Sequence, residues 1–124
     1  MYRKLLLCLG VFAIAFSLNA QTRSLFDGKW KVSWQGKRQV FEALLVLEGE
    51  SGTWKTAASQ RLDPCVGREV PVRVDGMKDG LLQITLRFSD TLAGCTDSKV
   101  LLKSEPDGSV SGRRGGSELK LVRQ

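Results

Sequence analysis

From Gly28 to the C-terminus, apolar residues alternate with polar ones. A period of two sends successive side chains to opposite faces of an extended strand. The alternation predicts eight strands, over residues 29–35, 39–48, 53–59, 68–74, 81–88, 98–104, 109–113 and 117–123. Each has an inward set. Trp30, Val32 and Trp34 form it in the first, and Phe41, Ala43, Leu45 and Leu47 in the second. Val70, Val72 and Val74 form it in the fourth, and Leu82, Ile84, Leu86 and Phe88 in the fifth. The segments EGESG, DGMKDG, EPDGS and RGGS lie between strands, and their glycine and aspartate content suits hairpin turns. FEALLVLEGE has a composition that would suit a helix, but its flanking turns and near-continuous apolar run favour a buried strand. No internal repeat, linker or low-complexity tract interrupts the pattern.

Eight short strands joined by short turns predict an all-β fold, a small up-and-down antiparallel barrel. An open barrel or flattened sandwich is the alternative, because Pro71 cannot donate to a strand ladder and suits an edge or a bulge. A membrane barrel fits poorly, since the outward positions carry Lys31, Glu42, Arg73, Arg87, Lys103 and Lys120. In an up-and-down barrel successive connections alternate between the two ends. Cys65 and Cys95 then fall in loops at one end, as a disulfide between them requires. The same alternation sorts the charges. The cysteine end gathers Lys37, Arg38, Arg61, Arg68, Arg113 and Arg114 against Asp63, Asp90 and Asp97. The other end gathers Glu48, Glu50, Asp75, Asp79, Glu105 and Asp107 against Lys78. The two longest loops are at the basic end, and long loops on a rigid scaffold often carry binding.

The first twenty residues change the picture of compartment. A basic head (Arg3, Lys4), an apolar run from Leu5 to Phe16 and a small residue at Ala20 form the pattern of a secretory signal. The expectation is a signal peptide over 1–20 and a single domain over 21–124, exported to a periplasmic or extracellular space. The apolar run is shorter than the roughly 20 residues of a membrane-spanning helix, so the exported chain is not expected to span a membrane. The leader holds two of the nineteen basic residues and none of the thirteen acidic ones. That leaves 17 against 13, a net charge of +4. This is short of the strongly basic character of a nucleic-acid binder, and no nucleic-acid partner is expected. Outside the leader the cysteines number two, and export predicts one Cys65–Cys95 disulfide.

The chain contains no histidine, and its one tyrosine, Tyr2, lies in the leader. Catalytic sites that need histidine, and histidine metal sites, are excluded. A carboxylate pair for glycoside chemistry stays open, but most of the acids stand in turn-like segments, where they are ordinarily solvated. The expectation is a protein that is not an enzyme and uses no metal or cofactor.

The start of the first strand, Gly28-Lys29-Trp30, resembles the Gly-x-Trp opening of calycin barrels: lipocalins, fatty-acid-binding proteins and the avidin group. The resemblance covers the two chain termini. It implies that Trp30 packs at the closed end of the barrel beneath an arginine of the last strand, the part Arg123 would play. A small exported barrel with one disulfide is also similar to periplasmic lysozyme inhibitors. Those meet a basic enzyme, which the acidic end alone would suit.

The leading functional expectation is a binding module for a small anionic or amphipathic ligand at the basic end. Trp34, Lys37, Arg38, Arg61, Arg68, Arg113 and Arg114 would hold it, because arginines grip carboxylates and phosphates through paired hydrogen bonds. The alternative is a protein-interaction or inhibitor module. Val40, Leu44 and Val46 give the second strand an apolar outer face that calls for a neighbour, either a protein partner or the chain's own Leu25 and Phe26.

Overall fold

A computed structural model describes residues 23–57 and 63–124. The proposed leader and Arg61 lie outside the described residues. The strands are β1 (Gly28–Gln35), β2 (Val40–Glu48), β3 (Ser51–Thr56), β4 (Glu69–Lys78), β5 (Leu81–Leu86), β6 (Ser98–Ser104), β7 (Val110–Arg114) and β8 (Ser117–Arg123). One helical turn, α1 (Phe88–Thr91), stands between β5 and β6. Each strand pairs antiparallel with the next, and β1 pairs with β8, from Trp30 opposite Arg123 to Ser33 opposite Lys120. The result is a closed up-and-down barrel of eight strands, not an open or flattened sheet.

Pro71 explains itself once the ladder is seen. The Arg87 N–H donates to the Pro71 carbonyl at 2.8 Å, and a hydrogen-bonded antiparallel pair would return a bond from residue 71. Proline cannot supply it. The missing bond therefore falls on the last rung of β4–β5, and the chain leaves the sheet there to form α1. This is why the fifth strand ends at Leu86 rather than at residue 88. Phe88 remains buried all the same.

Other boundaries differ from the alternation. β4 runs on to Lys78, four residues beyond the expected end, because a bulge sets Asp75 and Gly76 against the single residue Gln83. Gly76 takes a positive φ of 133° there. The bulge restores inward parity, so Met77 packs against the core. Asp75 is thus a strand residue and not part of an acidic turn. β3 ends at Thr56; residues 58–59 of the expected strand lie outside the described residues.

The interior is filled by side chains. Trp30, Trp54, Phe26, Leu45, Ile84 and Leu86 are among the largest and are fully buried. Among the described residues, Leu25 and Phe26 do not cover β2, contrary to one expectation. Phe26 turns into the barrel and plugs its closed end, while Leu25 stays half exposed. Val40 and Leu44 are left uncovered, with Val46 half-buried.

The closed end is a saturated knot. The Trp30 indole N–H donates to the Phe26 carbonyl at 2.8 Å. Arg123 lies over the Trp30 ring, 4.2 Å from its centroid, and donates to the carbonyls of Asp27 (2.8 Å) and Leu25 (3.1 Å). Gly28 makes this possible. A Cβ there would stand 2.6 Å from the Arg123 guanidinium, and its φ of 128° is one that side chains with a Cβ rarely adopt.

Candidate functional site

Cys65 and Cys95 form the disulfide, with Cα atoms 5.6 Å apart. It joins the β3–β4 loop to the segment between α1 and β6, both at the end opposite Arg123. A loop closed over a sequence separation of 30 contributes about 3–4 kcal/mol.

Beneath these loops is an aromatic layer. Trp34 stacks on Phe41 with centroids 5.8 Å apart and leans on Trp54 at 5.9 Å. Trp54 is fully buried and its indole N–H donates to Thr56 Oγ1 at 3.0 Å. Arg114 ends β7 on the same parity as the inward Val110, so its side chain turns over the mouth. Its guanidinium carbon lies 5.8 Å from the Trp54 ring centroid and 5.6 Å from that of Phe88. Its Nε donates to Ser98 Oγ at 2.8 Å. Among the described residues Arg114 has no carboxylate partner. Burial lowers its pKa from the ordinary arginine value. A cation held on aromatic faces, its terminal nitrogens uncommitted among the described residues, is equipped to take an anion.

The barrel is also split at this end. The β1–β8 ladder stops at Ser33 and Lys120, so Trp34 and Gln35 have no rung partner on β8. An open notch of about 730 Å³ results, lined by Trp34, Val40, Arg113, Glu118 and Lys120 among others. Its walls combine an aromatic face, an aliphatic side chain, two cations and the Glu118 carboxylate, which faces Arg113 at 3.6 Å.

The other expected site residues are dispersed. Lys37 and Arg38 are exposed in the β1–β2 turn, closed by Gly36 N–H to the Gln39 carbonyl at 2.8 Å. Arg68 is exposed just ahead of β4. Arg113 points outward, 3.6 Å from Glu118. The structure therefore brings together Arg114 and Trp34 around Trp54, with Arg113 at the notch, and leaves Lys37, Arg38 and Arg68 on the rim.

Two polar networks on the outside were not anticipated. Asp75 accepts hydrogen bonds from Thr85 (2.6 Å), Arg73 (2.8 Å) and Gln83 (3.3 Å). Burial alone would raise its carboxyl, but these bonds and the Arg73 charge hold it below the ordinary aspartate range. Asp97 accepts from the Ser89 N–H (2.9 Å) and hydroxyl (2.7 Å). Those bonds, with the nearby Arg87 and Arg73, lower its pKa against a small desolvation penalty. Arg87 lies between Asp90 (3.1 Å) and Asp97 (3.5 Å). Its Nε is buried and has no hydrogen-bond partner among the described residues. In sequence these residues read as alternating outward positions and turn acids; their convergence depends on the bulge and on α1.

Among the described residues, no group of three or more potential ligands is placed to hold a metal ion, and no helix is long and apolar enough to cross a membrane. Fold and site together define a closed eight-stranded antiparallel barrel, capped by an arginine at each end and joined by one disulfide at one of them. Comparison with protein-family models, curated proteins and solved structures finds no match for this chain.

Proposed function

We propose that the protein is an exported, non-enzymatic binding module of calycin-like type, taking a small anionic or amphipathic ligand at its disulfide-pinned mouth. The observation that carries the reading is Arg114, a partly buried guanidinium on an aromatic floor without an acidic partner among the described residues. The notch beside Trp34 offers an apolar wall for the remainder of such a ligand. The filled interior argues against a fatty-acid-like guest inside the barrel, and for a ligand held at the rim. Gly28 and Trp30 beneath Arg123 support the calycin-like assignment. The disulfide is compatible with export.

A thermal-shift screen of anionic metabolites, followed by native mass spectrometry, tests this. The reading expects one class of carboxylate or phosphate compound to raise the melting temperature, and Arg114→Gln to abolish the rise. A folded protein that answers no anion, or an Arg114→Gln variant that responds unchanged, would sink it.

A further inference from the structure

The register of the barrel shows an outer face unlike the others. Across β8–β1–β2–β3, the outward residues fall in rows. One row is Val122, Lys31, Leu44, Lys55; the rows beside it contain Lys120, Ser33 and Glu42, and Lys29, Val46 and Thr53. Four lysines meet one glutamate within these rows. That glutamate, Glu42, is engaged by Lys31 at 3.1 Å. Lys29, Lys55 and Lys120 are exposed and have no ion pair among the described residues.

The same face carries three of the exposed large apolar residues of the described chain: Val40 (57% exposed), Val122 (50%) and Leu44 (44%). Val122 and Leu44 flank Lys31, two strands or about 10 Å apart. What sets this face apart is its exposed aliphatic residues: on the opposite side Arg73 pairs with Asp75 and Arg87 with Asp90 and Asp97, while Lys99 and Lys103 are exposed without an ion pair among the described residues.

We propose that the β8–β1–β2–β3 face docks on an anionic lipid surface. Short aliphatic tips among lysine stems suit a layer whose phosphates lie just above an apolar zone, because lysine stems lie along apolar surface while their ammonium groups reach the phosphates. A second copy of the chain is disfavoured, since a twofold contact would set lysines against lysines. The barrel is closed along this face except for the two residues Trp34 and Gln35 at the mouth, too short an edge to extend a partner's sheet. The face adjoins the anion site at the mouth and shares Val40 and Lys120 with the notch, so the test uses Leu44, Val122, Lys29 and Lys55, which the notch does not include.

Co-sedimentation with phosphatidylglycerol vesicles, using phosphatidylcholine vesicles as the comparison, tests it. Binding to phosphatidylglycerol is expected to be about tenfold or more stronger, and to fall steeply with added salt. The pair Leu44→Asp and Val122→Asp is expected to weaken it by about tenfold. Lys37→Glu with Arg38→Glu, at the rim, is expected to leave it within about twofold. Should the aspartate pair fail to fold, Lys29→Gln with Lys55→Gln supplies the same test. Absence of binding to phosphatidylglycerol overturns the proposal. So does binding that responds to the rim pair and not to the face, or a self-association or acidic-protein complex at this face without lipid binding.

Discussion

The barrel carries an arginine over a tryptophan at each end, and the two are used differently. Arg123 lies 4.2 Å from the Trp30 ring centroid, and its terminal nitrogens are spent on the carbonyls of Asp27 and Leu25. Arg114 lies farther from Trp54 and Phe88, and among the described residues only its Nε is bonded, to Ser98. The first guanidinium is a staple: it ties the N-terminal segment across the closed end. The second retains unspent donors in a partly desolvated setting, which costs stability and provides recognition. Residue type and aromatic contact are shared. Hydrogen-bond saturation separates a structural cap from a binding group.

The largest expected effect is at the mouth's tether. Replacing Cys65 and Cys95 with serine should lower unfolding free energy by about 3–4 kcal/mol in denaturant titration. Amide exchange should rise first in the β3–β4 and β5–β6 connections, with the Arg123 end the last to yield. Next comes Arg123→Met. Losing the cation–π contact and two charged hydrogen bonds at a partly solvated site should cost about 1–2 kcal/mol. A cost equal to that of Arg114→Met would erase the distinction drawn here.

Acid should act on the flank between the two caps. Asp75, Asp97 and Asp107 all have carboxyls held below the ordinary value; for Asp107 the Ser109 hydroxyl and N–H are responsible. A lowered native pKa means the unfolded chain binds more protons in acid. Their stabilisation is therefore full above the unfolded aspartate value of about 4, and is lost as pH falls below it through the native values. Melting temperature should be level above that point and drop below it, less steeply in Asp75→Asn. The smallest stability effect is expected at Arg114→Met, within about 1 kcal/mol of the parent, because methionine fills the space and no charge needs desolvating. Anion binding should be lost in that same variant.

Much of this was legible in the chain. The alternation that named Trp30, Val32 and Trp34, or Leu82, Ile84 and Leu86, as inward was enough to derive the strand order and to bring Cys65 and Cys95 to one end. The placing of Arg123 over Trp30 was implied by the calycin resemblance of Gly28-Lys29-Trp30; that only glycine admits the guanidinium beside it is seen in the structure. The bulge at Asp75 and Gly76 was not. One extra residue shifts parity, and DGMKDG has the composition of a turn. Arg114 could be assigned to the basic end, but its separation from Arg113 depends on inward parity at the last residue of β7, which an expected strand ending at residue 113 missed. Lys37, Arg38 and Arg68 share its charge but not its aromatic floor, and charge counting cannot tell them apart.

The most direct test is an NMR titration that observes the arginine Nε–H signals while phenyl phosphate is added. The account predicts a saturable shift of the Arg114 signal, with Arg123 unmoved because its guanidinium is already engaged. An Arg114 signal that stays fixed, or arginine signals that drift together without saturation, would contradict it.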